Sequence, residues 1–279
     1  MSSTPSNPNS ISISRPPGST PTPVVSKQES KFPTEVINLP SKGWFYDTNS
    51  PLSSGTLELK QMTAKEEDIL TSRNLIQKNI VLDKLLESVI IDKSIKPEEM
   101  LVCDRNAAFF ALRRLAYGDK YDATVTCPRC GKENEVEIDL SQADNKPIEF
   151  EKFTRGQNSF EFYLPSHKIM ITFKLLSKKD EDVITRELEA STKYNKDLST
   201  EITTRLTHVI TSIDGDTDKM KIRRFVAEEL LSRDSLALRK YIREAMPDIE
   251  SSFDFSCQHC RLERREETPM GVSFFWPNR

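Results

Sequence analysis

Residues 55–62 alternate apolar and polar side chains, with Leu57 and Leu59 on one face and Glu58 and Lys60 on the other, and this period of two predicts a strand. Thr63 and Glu66 follow at the spacing of a capping box, so a helix is expected to start there. From residue 80 to 91 the period changes. Val81, Leu85 and Val89 fall on one stripe with Leu82, Leu86 and Ile90 beside it, which predicts a second, amphipathic helix. A third is expected over residues 106–117, ended by Gly118 as a residue that tolerates a left-handed backbone. Upstream, the run from Leu39 to Gly43 predicts a turn with Trp44, Phe45 and Tyr46 as apolar anchors, and order is expected from near Val36. Residues 1–33 are dominated by Ser, Thr, Pro and Asn. Such a segment cannot bury enough apolar surface to offset its backbone entropy, which predicts a disordered tail.

The pattern repeats. Residues 59–71 (LKQMTAKEEDILT) align without gaps to residues 173–185 (FKLLSKKDEDVIT), with Lys60, Lys65, Glu67, Asp68 and Thr71 recurring as Lys174, Lys179, Glu181, Asp182 and Thr185, and Thr63 as Ser177. Asp104 precedes Cys127 by 23 residues, and Asp234 precedes Cys257 by 23. Coincidence between two amphipathic segments is the competing reading. The repeat predicts an α+β fold of two related units, 34–145 and 146–279, each running strand, helix, helical segment and Cys-x-x-Cys hairpin behind the tail of residues 1–33.

Four of the five cysteines form Cys127-Pro-Arg-Cys130 and Cys257-Gln-His-Cys260, each between strand-like segments. A Cys-x-x-Cys on a tight turn aims both sulfurs at one point, and Gly131 supplies a permissive backbone after the first pair. Two thiolates half-coordinate a tetrahedral ion, so Cys127, Cys130, Cys257 and Cys260 are expected to share one structural Zn2+ across 126 intervening residues. Arg129, Lys132, Arg261 and Arg264 flank the turns and would offset the negative charge of the thiolates. A redox role would want one such pair at a helix N-terminus in a βαβ unit, a context neither pair has. Cys103 reads as a buried small hydrophobe, and His259, inside the second turn, as a surface residue.

Composition narrows the function. The 279 residues carry 40 basic and 43 acidic side chains, a net charge of -3, which argues against a globally cationic nucleic-acid binder. The run RLERREE (261–267) mixes charges and reads as a solvated face. No apolar run is long enough for a membrane span, and no apolar leader is expected to direct secretion, so thiols or metal ligands are expected rather than disulfides. No phosphate-cradling loop, dinucleotide fingerprint, nucleophile elbow or His-Glu-x-x-His occurs, and no catalytic residue is assigned. The acidic clusters at 66–68 and 180–182 fall in predicted first turns, where they complement the helix dipole. The run DGDTDK (214–219) lacks a calcium loop's closing glutamate and reads as an acidic turn.

The blocks LPSKGWFYD, GTLELKQMTAKEEDIL, DRNAAFFALRRLAYGDKYDATVTCPRCGKENEVEIDL and the closing GVSFFWP resemble the baseplate hub and hub-assembly proteins of T4-like contractile-tailed bacteriophages, over most of residues 39–140 and the extreme C-terminus. The resemblance implies a non-enzymatic tail protein, or a chaperone-like factor that assembles the baseplate hub. Its partners would be other hub or tail proteins, and its location the virion tail baseplate, the host cytoplasm during assembly, or both. It further implies that CPRC is a zinc knuckle and that Phe274-Phe275-Trp276 is an apolar anchor. From the residues alone, that anchor is expected to pack as a last strand against its own half, with docking on a partner as the other reading. A zinc-ribbon factor associated with nucleic acid is the alternative function, distinguished by a steep salt dependence of binding.

Overall fold

The computed structural model describes residues 33–194 and 199–275, and the expected disorder of the tail lies outside them but for Pro33. The chain order is β1 (Thr34–Asn38), β2 (Thr56–Lys60), α1 (Ala64–Thr71), α2 (Arg73–Gln77), α3 (Val81–Val89), α4 (Val102–Tyr117), β3 (Lys120–Thr126), β4 (Glu133–Asp139) and β5 (Asp144–Asn145). It continues with β6 (Phe160–Leu164), β7 (Ile169–Phe173), α5 (Lys178–Tyr194), α6 (Glu201–Val209), β8 (Ile210–Ile213), α7 (Lys219–Arg224), a π-helical turn (Phe225–Glu229), α8 (Ser232–Ala245), β9 (Ile249–Glu250), β10 (Ser252–Ser256) and β11 (Glu263–Glu267). The fold is mixed α+β with small antiparallel sheets: β6-β7-β8 has three strands, and β1-β2, β3-β4, β5-β9 and β10-β11 have two each.

The expected strand, capping box and amphipathic helix form as β2, α1 and α3, with Leu57 and Leu59 buried under β2 and Val81, Leu85 and Val89 under α3. The third helix starts four residues earlier than its apolar pattern, at Val102, and ends at Gly118, whose φ is 82°. Its first turn holds Asp104, whose carboxylate accepts hydrogen bonds from the Ser41 N–H (2.9 Å), the Ser41 hydroxyl (2.7 Å) and the Tyr46 hydroxyl (2.6 Å). That buried carboxylate clamps the Leu39–Gly43 turn onto the helix.

The aligned segments share local contacts. Leu59 bridges Ile90 in the first half, and the aligned Phe173 pairs with Ile210 in the second. Glu66 accepts from the Thr63 N–H (2.9 Å) and hydroxyl (2.7 Å), and Asp180 from the Ser177 N–H (2.9 Å) and hydroxyl (2.8 Å). Asp234 takes the place of Asp104, accepting from the Ser166 N–H (2.9 Å) and the His167 N–H (3.1 Å) of a Leu164-Pro165-Ser166 turn that repeats Leu39-Pro40-Ser41. Both halves feed one apolar core, in which Leu85 and Phe110 of the first half and Phe173 and Leu238 of the second are buried together.

The C-terminal expectation is corrected. Val272–Phe275 form a 3-10 turn and not a strand. Phe274 packs tilted against Phe110 (5.2 Å) and edge-on against Tyr121 (5.0 Å), and Phe275 edge-on against Phe109 (5.9 Å), so the anchor packs on the first half rather than its own. Helix α8 carries Lys240 and Arg239 at the positions where α4 presents Phe110 and Phe109, so the aromatic seat at these positions lies on α4. Trp276 lies outside the described residues.

Candidate metal centre

Two hairpins build the site. In β3-β4, Tyr121, Ala123 and Ile138 point into the core while the strand ends carry the chain to the turn at Cys127. The Cys127 N–H donates to the Lys132 carbonyl (2.9 Å) and the Gly131 N–H to the Cys127 carbonyl (2.8 Å). The second turn repeats this geometry: the Cys257 N–H donates to the Leu262 carbonyl (2.9 Å) and the Arg261 N–H to the Cys257 carbonyl (3.0 Å). Gly131 has φ 69°, and its counterpart Arg261 takes φ 55°, a left-handed backbone held by a residue other than glycine.

The four cysteines that the sequence singled out come together. Cys127 Sγ lies 3.6 Å from Cys260 Sγ, Cys130 Sγ lies 3.7 Å from Cys257 Sγ, and all four sulfurs are within 4.8 Å of one another. These separations are far beyond a disulfide bond of about 2 Å and close to the roughly 3.8 Å between sulfurs that share one tetrahedral ion at about 2.3 Å. The donor set therefore fits a thiophilic cation, and four cysteines so placed can bind a metal ion. Phe255, Val125, Val136, Phe253 and Leu262 sheathe the buried sulfurs of Cys127 and Cys257, while Cys130 faces solvent.

Electrostatics distinguishes the thiols. Burial opposes ionisation of Cys257, yet the backbone N–H groups of Cys260 and His259 and the neighbouring thiols hold it below the ordinary thiol range. Cys260 is pushed up, by burial first and then by hydrogen bonds to Cys127, Cys257 and Cys130. The same N–H groups that lower Cys257 favour its thiolate, the form in which sulfur binds metal.

One element of the site had no signal in the sequence. Asn134, buried at the start of β4, donates from Nδ2 to the Lys132 carbonyl (3.0 Å) and accepts from the Gln258 N–H (2.9 Å), so one amide orders the first turn and ties it to the second. Arg264 meets Glu266 at 2.8 Å within β11, and His259 is exposed, as expected for a solvated strand and a surface residue. Cys103 is buried in the first turn of α4, apart from the cluster.

Elsewhere, His167 directs Nδ1 to Asp234, while Nε2 lies 3.1 Å from the Glu229 carbonyl. Among the described residues, no helix is long and apolar enough to cross a membrane.

A family model described as T4 bacteriophage base plate protein matches residues 45–276. No curated protein and no solved structure matches the chain.

Proposed function

The chain belongs to the T4 bacteriophage base plate protein family, and from that premise we propose that it is a non-enzymatic structural or assembly protein of a contractile-tail baseplate hub, its two halves fastened by one structural zinc. Family membership over residues 45–276 carries the reading of a tail component that binds other tail proteins. The metal reading rests on Cys127, Cys130, Cys257 and Cys260, whose sulfurs converge from two hairpins of opposite halves. A closed set of four thiolates leaves no coordination position for substrate or water, which suits a staple rather than a catalyst. Zinc here would supply folding energy and fix the hairpins, and Asn134 would hold the turns in register whether or not the ion is bound.

The units 34–145 and 146–279 are read as a duplicated building block, and the hub, in the virion or in the host cytoplasm during assembly, as its place of action. The test is complementation: phage lacking this chain should accumulate baseplate parts without complete hubs, and added purified protein should restore assembly. Mass spectrometry of purified particles then separates a resident component from an assembly factor. Normal baseplates formed without the chain would overturn the reading.

A further inference from the structure

The two halves meet along a short backbone ladder, and the duplication leaves the same ladder half-built at both outer edges. Inside the chain, the Val102 N–H donates to the Leu176 carbonyl (3.0 Å) and the Lys178 N–H to the Met100 carbonyl (3.0 Å), with Leu101 bridging Ser177. By the repeat, residues 100–102 correspond to 230–232, and residues 176–178 to 62–64. Among the described residues, these two counterparts share no hydrogen bond, and the N–H groups of Ser232 and Ala64, first in their helices, meet no backbone acceptor.

Burial registers the missing neighbour. Leu101, covered by residues 176–178, is 3% exposed, whereas its counterpart Leu231 is 50% exposed. Leu236, the counterpart of Asn106 at the groove between the halves, is 58% exposed. Two bare leucines beside unpaired backbone at one helix start form a surface that asks for the segment already used to cover its equivalent.

We propose that the chain self-associates head to tail, residues 230–232 of one copy pairing with residues 62–64 of the next as 100–102 pair with 176–178 inside each chain. The occupant is a second copy because its edge repeats the one that forms the internal ladder, with Met62 standing for Leu176, Thr63 for Ser177 and Ala64 for Lys178. The contact is heterologous, so growth stops only when a ring closes. It is weaker than the internal junction. The Lys178–Asp83 ion pair (3.4 Å) that reinforces the internal ladder has no equivalent, since Ala64 and Thr203 occupy the matching positions.

Proline supplies the test. Ser232 and Ala64 are first helical residues, where proline is tolerated, and each follows an extended residue (Leu231 ψ 142°, Thr63 ψ 176°), the backbone that proline requires before it. Ser232→Pro and Ala64→Pro each remove one ladder donor. In sedimentation velocity over a dilution series, the full-length protein should exceed the mass of two chains and dissociate on dilution. Each variant alone should associate tenfold or more weakly. An equimolar mixture of the two retains one intact edge of each kind and should stop at two chains. Leu231→Asp, exposed and acceptable at a helix cap, should weaken association equally and covers the case of a proline variant that fails to fold. A wild type at 32.0 kDa at every concentration, variants that associate as the wild type does, or a mixture that stays monomeric would each overturn the proposal.

Discussion

Lys60 Nζ lies 2.7 Å from Glu66 Oε1, and at the matching place in the second half Lys174 Nζ lies 2.6 Å from Asp180 Oδ1. In both, a lysine at the end of a strand reaches the third residue of the following helix, whose carboxylate also caps that helix. The cation neutralises a carboxylate that is buried at Glu66 and half-buried at Asp180, and the carboxylate accepts the N–H of the residue before the helix, Thr63 or Ser177.

Glu66 is buried, and burial alone would raise its pKa, yet bonds from Lys60, Ser88 and Thr63 lower it to about 2. Its folded-state value lies below its unfolded one, so its contribution is complete above about pH 4.5 and is lost as pH falls toward 2. The pair of values corresponds to about 3 kcal/mol. Glu66→Gln should therefore lower stability by roughly that amount at pH 7 and by less than half of it at pH 3, measured by urea unfolding at the two pH values. An equal loss at both would show that the charge of Glu66 is not what stabilises.

Asn134 is the amide shared by both cysteine turns. Asn134→Ala leaves the Gln258 N–H without its acceptor and removes one of the two hydrogen bonds to the Lys132 carbonyl, and should cost about 1–3 kcal/mol. Asn134→Asp keeps the acceptor and should retain the bond to Gln258. Thermal melts compare the three proteins, and the alanine variant should also release metal to a chelator faster than wild type.

Strands, caps and helix α3 were legible because their signals are local: the period of two at Leu57 and Leu59, the spacing of Thr63 and Glu66, and the stripe of Val81, Leu85 and Val89. The cysteine cluster was legible for a different reason, since each Cys-x-x-Cys carries its own turn geometry and the two pairs converge on one point. The first turn of α4 was not legible, because its residues are chosen for what Asp104 receives from Ser41 and Tyr46, 63 and 58 positions away. The Asn134–Gln258 bond, separated by 124 positions, leaves no local mark either. Strand propensity at Phe274 and Phe275 misled because a pocket on α4, invisible to periodicity, decides their conformation.

That pocket makes the C-terminal turn a stability element. Phe274 is fully buried against Phe110 and Tyr121. Phe274→Ala should cost about 3–5 kcal/mol, whereas Ser273→Ala, at an exposed neighbour, should cost little. Equal, small effects in a denaturant titration would show that the turn does not anchor on the first half.

On the proposed reading, one metal ion joins the two halves through Cys127, Cys130, Cys257 and Cys260. Metal content per chain, determined by plasma mass spectrometry on protein purified under reducing conditions, tests it directly, with Cys127→Ser and Cys257→Ser measured alongside. One zinc per chain in the wild type, lost together with thermal stability when a cysteine of either half is replaced, is the predicted result. A metal-free wild type with reduced thiols, or a Cys257→Ser variant that keeps full zinc and full stability, would contradict it.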